Sequence, residues 1–181
     1  MPGLDLHYVN ELINVRQQQH GGARGAPPIV AGHRIGASIN RSCVVMLSAL
    51  LQTHVEDVFQ DAAKRAFPAL NADPAAFDRY WKQMKSWGNP SDVNIGNLFL
   101  QIGLPDVFSG LSWQRTTTAD IKEKLGELNQ VRNRIAHGNR DLTLNGNSYT
   151  LTLAKVVAFR NLAEKFGERF TDHVNTLIPA P

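Results

Sequence analysis

Three side chains with complementary chemistry fall near the end of one predicted helix, in the segment VRNRIAHGN at 131–139. They are Arg132, Asn133 and His137. A guanidinium stays charged at any physiological pH and can bind two oxygens of one phosphate. An imidazole can take up or release a proton near neutral pH. Residues of these two types suit phosphodiester chemistry, in which the arginine stabilises developing negative charge and the histidine transfers protons.

The helix that carries these residues begins in a threonine run at 116–118 and ends at His137 and Gly138. Its apolar positions recur at helical spacing and lie in one sector: Ile121, Leu125, Leu128 and Ile135. Arg132 falls near the middle of that sector, and a buried guanidinium without a partner is very costly. We therefore expect Arg132 to meet an acid, a second subunit or an anionic ligand. The imidazole of His137 should project from the helix terminus, where the helix dipole favours its charged form.

Two interpretations of Arg132 and His137 follow from the pattern alone. In the structural one, Arg132 pairs with Asp57 or Asp61 of an earlier helix, and His137 only caps its own helix. In the functional one, the two residues cleave RNA, which carries its own nucleophile in the 2′-hydroxyl group. Such a site needs no metal ion and no other cofactor. Asp57 and Asp61 also share a helix face with His54, either as a solvated edge or as a polar lining.

The wider pattern predicts an all-α fold, an antiparallel helical bundle in one domain over residues 1–181. An N-terminal part at 1–34 holds the first helix and a flexible glycine- and proline-rich loop at 21–32, and 35–180 form the core. The first helix is predicted at 4–19. Its apolar face is expected to consist of Leu4, Tyr8, Leu12 and Val15.

The longest predicted helix spans about 38–67 and is expected to be capped by Ser38 or Asn40. Its apolar stripe should pack antiparallel against the 118–137 helix. A short hairpin or loop is predicted at about 142–153, because its Asn-Gly pair is typical of a tight hairpin turn. The stripe of the long helix consists of Val44, Leu47, Leu51, Val55, Val58 and Ala62.

Three further helices are predicted from their start signals. One begins with Asp73 as N-cap before Pro74 and ends by Gly88. A short helix follows Ser91, and the last helix spans about 153–177. These limits leave no break that would divide the chain into two domains.

Composition places the chain among ordinary globular proteins, with 43% hydrophobic and 19% charged residues. The net charge of +3 permits an anionic partner but does not require one. The single cysteine, Cys43, cannot form an internal disulfide and fits a reducing compartment. We expect a cytoplasmic protein without a signal peptide or a membrane span. No two of the six histidines are three or four residues apart, so no metal site is predicted.

Four segments resemble one protein family in the same order along the chain. The segment RNRIAHG at 132–138 resembles the Arg-x4-6-His motif of the HEPN superfamily, in which an asparagine usually follows the arginine. The segments at 40–59, 87–99 and 149–159 resemble, in turn, the long second helix, the Asn-Pro-Ser segment and the start of the final helix of its RiboL-PSP-HEPN subgroup. Together the similarity spans about 35–180.

The resemblance implies a helical bundle that dimerises and sets two Arg/His pairs in a cleft at the interface. Many members of the superfamily are metal-independent ribonucleases, often toxins or antiphage effectors. Others have lost activity and bind RNA, a nucleotide or a protein partner. The implied partners are therefore RNA, a second copy of the chain, and a cognate antitoxin or regulatory protein.

The site roles can be carried over residue by residue from this resemblance. Arg132 would bind and polarise phosphate, His137 would act as general base or acid, and Asn133 would orient the site. An acidic residue of the second helix, here Glu56 or Asp57, is the implied auxiliary. The intact set of three residues favours the ribonuclease over the inactive module.

Overall fold

The computed structural model describes residues 3–20, 27–30, 32–84 and 86–179. In these residues the helices are α1 (His7–His20), α2 (Ala37–Ala66), α3 (Pro68–Ala72), α4 (Pro74–Met84), α5 (Asp92–Leu100), α6 (Thr118–Ala136) and α7 (Leu153–Leu177). Two small antiparallel ribbons pair β1 (Ile29–Val30) with β2 (His33–Arg34) and β3 (Thr143–Leu144) with β4 (Asn147–Ser148). The fold is all-α, as the sequence predicts.

The longest helix, α2, packs against α1, α6 and, most extensively, α7. Near its start, Asn40 Nδ2 donates a hydrogen bond to the carbonyl oxygen of Leu151, 3.0 Å away and just before α7 begins. Near its end, Arg65 Nη2 donates to Asn175 Oδ1 in the last turn of α7 at 2.8 Å. The two helices therefore run parallel.

Helix α6 runs in the opposite direction. Arg41, near the start of α2, donates from Nη1 to the carbonyl oxygen of Asn139, which lies beyond the end of α6, at 2.8 Å. The antiparallel packing of α2 against α6 thus agrees with the sequence prediction. The main partner of α2 is nevertheless α7, because α7 follows α2 along its length while α6 is shorter.

The hydrophobic core is built on one side of α2. Each member of its predicted stripe is 0% exposed: Val44, Leu47, Leu51, Val55, Val58 and Ala62. Aromatic rings connect this stripe to α5 and α7, since the Phe99 ring centroid lies 5.5 Å from that of Phe59 and 5.3 Å from that of Phe170. Burying a side chain of this size contributes about 1.5–3 kcal/mol, so this cluster holds α2, α5 and α7 together.

The apolar face predicted for α1 is wrong in part. Tyr8 is 65% exposed and Val15 is 45% exposed, whereas Leu4 and Leu12 are partly buried against the core. The buried side of the helix includes Arg16, only 4% exposed, together with Val9 and Ile13, and Leu6 is buried just before the helix begins. The spacing of apolar residues predicted the wrong side of α1 because a charged residue, Arg16, occupies one of the buried positions.

The start of α2 also differs from the prediction. Its N-cap is Gly36, with φ +77° and no side-chain hydrogen bond, so neither Ser38 nor Asn40 caps the helix. Part of the loop predicted at 21–32 lies outside the described residues, and β1, which falls within the predicted loop, pairs with β2 in a small ribbon. The structure also contains α3, a five-residue helix that begins directly after Phe67 and was not predicted.

Several local predictions are confirmed by their hydrogen bonds. Asp73 Oδ1 accepts the backbone N–H groups of Ala75 and Ala76 at 3.0 and 3.1 Å, and α4 begins there, although its last residue is Met84. The predicted hairpin joins β3 to β4 through Asn145 and Gly146, whose φ angles are +50° and +80°. Two positive φ angles in a two-residue loop are characteristic of a type I′ turn.

His54 is a buried polar residue at the contact between α2 and α7. It is 6% exposed, and its Nε2 lies 3.0 Å from the carbonyl oxygen of Gly167 and 3.1 Å from Thr171 Oγ1. Asp57, by contrast, is exposed, and Asp61 forms an ion pair within α2. The three residues therefore form neither a common polar lining nor a common solvated edge.

The environment of His54 should make stability depend on pH. Burial lowers the pKa of His54, and the Gly167 carbonyl and Asp57 offset part of that effect. Because the unfolded chain then binds this proton more readily, the free energy of unfolding should fall as pH drops below the unfolded-state pKa of about 6.5. Urea unfolding from about pH 7.5 to about pH 5.5 should show a smaller loss of stability in His54→Gln.

The matched control is His7→Gln, which replaces an exposed histidine on α1. This variant should keep the pH dependence of the wild type. Equal pH dependence in His54→Gln and the wild type would show that His54 is not the titrating group.

Candidate functional site

Helix α6 carries the candidate residues, and a capping box fixes its first turn. Thr117 Oγ1 accepts the backbone N–H of Asp120 at 3.2 Å, and Asp120 Oδ2 accepts the backbone N–H of Thr117 at 2.8 Å. These bonds satisfy two donors at the helix start. They set where α6 begins and therefore which way the residues of its last turns project.

The other end of α6 closes in a Schellman motif. His137 is the C-cap residue, and Gly138 follows with φ +73°. The Gly138 N–H donates to the carbonyl oxygen of Ile135, and the Asn139 N–H donates to that of Arg134, both at 3.0 Å. This is the hydrogen-bond pattern of the motif, and glycine is the residue that adopts its positive φ without strain. The predicted C′ position of Gly138 is confirmed.

The turn beyond Gly138 is held against α2. Arg41 donates from Nη1 to the carbonyl oxygen of Asn139 at 2.8 Å and from Nη2 to that of Arg140. One guanidinium thus binds two consecutive carbonyl groups. The backbone around His137 is therefore anchored on both sides, by α6 before it and by Arg41 after it.

Arg132 is half-buried, and Ile135 is only partly buried. The fully buried residues of α6 are Ile121, Leu125, Leu128 and Val131. Helical spacing places Arg132 on the same face as these residues. It is less buried than they are because burial decreases toward the end of the helix.

The structural pairing considered for Arg132 is not present. Asp61 pairs with Arg65, and Asp57 is exposed. Within the described residues, the side-chain hydrogen bond of Arg132 runs from Nη1 to Asn133 Oδ1 at 3.2 Å. The guanidinium is therefore oriented by a neutral amide and keeps an uncompensated positive charge.

Asn133 joins Arg132 to a second segment of the chain. Its Oδ1 also accepts a hydrogen bond from Asn89 Nδ2 at 2.8 Å. One amide oxygen thus receives a donor from α6 and a donor from the segment before α5. Asn133 therefore links the side chain of Arg132 to the segment before α5.

The segment that supplies Asn89 is itself docked on α6. Asn129, 5% exposed, donates from Nδ2 to the carbonyl oxygen of Pro90 at 2.7 Å. Ser91 Oγ caps α5 by accepting the Asn94 N–H at 3.1 Å, and Asn94 Nδ2 donates to the carbonyl oxygen of Asn89 at 2.9 Å. Asn89 and Asn129 were not among the predicted site residues. The signal that could have found Asn129 is its position one turn before Asn133.

Glu56 supports the same segment from α2. Its Oε1 accepts hydrogen bonds from Trp87 Nε1 at 3.0 Å and from Gln52 Nε2 at 3.2 Å. Trp87 is two residues before Asn89, so Glu56 acts on the site through this segment. Asp57, the other predicted auxiliary residue, is exposed and takes no part in these contacts.

His137 stands one helical turn beyond Asn133. Its backbone N–H donates to the carbonyl oxygen of Asn133 at 3.0 Å, and its side chain is exposed to solvent. Residues four apart lie on the same side of a helix. The site thus combines a hydrogen-bonded group of Arg132, Asn133 and Asn89 with an accessible imidazole next to it.

The contact between Asn89 and Asn133 can be tested by a double-mutant cycle. Asn89→Ala, Asn133→Ala and the double variant should give a coupling energy of about 0.5–1.5 kcal/mol in urea unfolding, the range for a partly buried hydrogen bond. As a control, Asn97→Ala changes an exposed asparagine of α5 and should show no coupling to Asn133→Ala. If the cycle of Asn97 with Asn133 gave the same coupling energy as the cycle of Asn89 with Asn133, the coupling could not be attributed to the Asn89–Asn133 hydrogen bond.

A family model described as RiboL-PSP-HEPN matches residues 7–176 of the chain. No curated protein and no solved structure matches the chain. Among the helices of the described residues, none has the length and apolar character needed to cross a bilayer. The matched range includes the whole of α6 and the segment that docks on it. The chain therefore belongs to the RiboL-PSP-HEPN family, a family of the HEPN type.

Proposed function

We propose that this protein is a metal-independent endoribonuclease whose site is formed by Arg132, Asn133 and His137. The observation that supports this most directly is the state of Arg132. Its guanidinium is half-buried and fixed by the Asn133 amide, with no carboxylate in the described residues to neutralise it. An oriented cation of this kind suits a phosphate that gains charge during reaction.

The reaction proposed is an internal transfer at phosphorus. The 2′-oxygen of the RNA forms a bond to the adjacent phosphorus, the bond from phosphorus to the 5′-oxygen breaks, and a 2′,3′-cyclic phosphate remains. A base takes the proton of the 2′-hydroxyl, and an acid gives a proton to the departing 5′-oxygen. Arg132 stabilises the charged phosphorane.

The reaction needs one group to accept a proton and another to donate one. Each chain contributes only one histidine to the proposed site. A two-fold dimer would bring a second His137 to the same cleft. The α6 face that carries Asn133 and His137 also carries Gly126, and a side-chain carbon at Gly126 would meet nothing within 4 Å. An open glycine-containing face supports an isologous contact between two copies of α6.

The dimer can be tested at Gly126. We expect the wild type to sediment as a dimer at micromolar concentration. Gly126→Gln should sediment as a monomer, because the longer side chain keeps two copies of α6 apart. Glutamine favours helix more than glycine does, so folding should be preserved. The control Lys124→Gln changes an exposed residue on another side of α6 and should remain dimeric. A wild type that is monomeric at these concentrations would contradict the proposed dimer.

Catalysis can be tested by substitution of the two reactive residues. His137→Ala should lose about 10²–10⁴-fold in cleavage rate, the usual contribution of a general acid or base. Arg132→Lys should also be severely impaired, since lysine lacks the planar fork that grips two phosphate oxygens. Rates on a labelled oligoribonucleotide, with and without EDTA, would measure both effects, and EDTA should change neither.

Matched controls are His7→Ala and Arg115→Lys, which alter exposed residues outside the site. Both should retain the wild-type rate. Cleavage that persists in His137→Ala or stops in EDTA would contradict this mechanism.

A second candidate is a catalytically inactive module that binds RNA, a nucleotide or a protein partner. The exposed state of His137 favours it, because in the described residues no carboxylate orients the imidazole and Glu56 is bonded to Trp87. Saturable RNA binding that depends on Arg132, together with intact substrate after long incubation, would identify this function.

A further inference from the structure

A second concave site lies where the starts of α2 and α7 meet. It is a cavity of about 480 Å³, and none of the three proposed catalytic residues lines it. Its polar lining includes Arg16, Arg34 and Asn40. Its apolar wall is formed by Pro27, Ile35, Leu151 and Leu153.

The buried guanidinium of Arg16 is the unusual feature of this cavity. Arg16 is 4% exposed, and its Nε and Nη1 are buried without a hydrogen-bond partner in the described part of the chain. Among the residues that the structure describes, no carboxylate lines the cavity. An arginine cannot escape this situation by losing its proton. A buried cation with no counter-charge therefore calls for an anion.

The backbone at the start of α2 is built around Arg16. Gly36 has φ +77°, and a side-chain carbon there would clash with Arg16 Nε. Only glycine fits at this point, both for its backbone angle and for the close approach of the guanidinium. The contact between Arg16 and the start of α2 is thus part of the packing of the fold.

The two helix starts add to the positive potential. Helices α2 and α7 have 30 and 25 residues, and neither has an acidic residue in its first turn. The first N–H groups of a helix lack partners within the helix, and its dipole favours an anion there. Gly36 offers α2 no side-chain cap, whereas at the start of α7 the side chain of Thr152 accepts the Lys155 N–H and leaves the earlier N–H groups free of a side-chain cap. Arg34 brings a second guanidinium to the cavity lining.

The remaining lining indicates what else the ligand contains. Asn40 Nδ2 is bonded to the Leu151 carbonyl, but Asn40 Oδ1 is buried without a donor in the described residues. The ligand should therefore offer a hydroxyl or N–H group near its anionic end. The apolar wall suits a flat, poorly hydrated group such as a base.

The geometry points to a binding site for a phosphate monoester of a nucleotide, held by Arg16 and by the starts of α2 and α7. A terminal phosphate carries up to two negative charges and suits two arginines, the ribose supplies a hydroxyl donor for Asn40, and the base packs on the apolar wall. The same group occurs in a free mononucleotide and at the 5′ end of an RNA strand. The site does not depend on the cleavage proposed at His137.

The test is thermal unfolding and calorimetric titration of the full chain at constant ionic strength. The ligands are inorganic phosphate, the four ribonucleoside 5′-monophosphates, and one oligoribonucleotide with a 5′-phosphate or a 5′-hydroxyl. The oligoribonucleotide is titrated into His137→Ala, so that the cleavage proposed above does not consume it. Wild type should bind 5′-monophosphates saturably with a raised melting temperature. Tighter binding of the phosphorylated oligonucleotide than of the mononucleotides would identify the 5′ end of an RNA strand as the ligand. Tighter binding of a mononucleotide would identify a free nucleotide as the ligand. Equal binding of both oligonucleotides, with none of the monophosphates, would overturn the monoester site.

The decisive variant is Arg16→Met, which keeps bulk and removes the charge. It should weaken binding by about tenfold or more. Its melting temperature without ligand should equal or exceed that of the wild type, because an uncompensated buried charge has been removed. A purely structural arginine would instead lower the melting temperature and leave ligand affinity unchanged.

Two further variants keep the test decisive if Arg16→Met fails to fold. Arg34→Met changes an exposed residue of the lining and should weaken binding with folding intact, whereas Arg79→Met, on the exposed side of α4, should bind as the wild type does. His137→Ala should also bind normally, which separates this site from the cleavage reaction. Wild-type affinity in Arg34→Met, or no saturable binding of any monophosphate to the wild type, would overturn the proposal.

Discussion

The arrangement of the candidate site depends on one amide oxygen. Asn133 Oδ1 accepts hydrogen bonds from Arg132 on its own helix and from Asn89 on the segment before α5. A neutral acceptor can orient a guanidinium without cancelling its charge, which a carboxylate in the same place would do. The contacts of Glu56 with Trp87 and of Asn129 with Pro90 then matter because they hold Asn89 where it can reach that oxygen.

The same physical theme, a guanidinium without a carboxylate partner among the described residues, recurs at Arg16. Arg132 is half-buried beside an accessible imidazole, and Arg16 is almost fully buried beside the start of α2. Arg41, by contrast, donates hydrogen bonds to two backbone carbonyl groups and stabilises the fold. This contrast separates an arginine that binds backbone carbonyl groups within the chain from the two for which we propose an anionic partner.

The sequence predicted the helical fold well because its signals are local. Capping residues, Asn-Gly at the hairpin and the apolar stripe of α2 each act within a few turns of their own helix. The burial of Arg16 was missed, since it depends on which neighbouring helices cover the residue. The contact between Asn89 and Asn133 joins residues 44 positions apart, so the spacing of residues within one helix could not predict it.

The measurement that most directly tests the central claim is the chemical identity of the ends left by RNA cleavage. Mass spectrometry of the products of one short RNA distinguishes the two ways of breaking a phosphodiester. An oriented arginine and a histidine acting on the RNA's own 2′-hydroxyl should leave a 2′,3′-cyclic phosphate and a 5′-hydroxyl. Products that carry a 3′-hydroxyl and a 5′-phosphate would contradict the account, because they require water as the nucleophile.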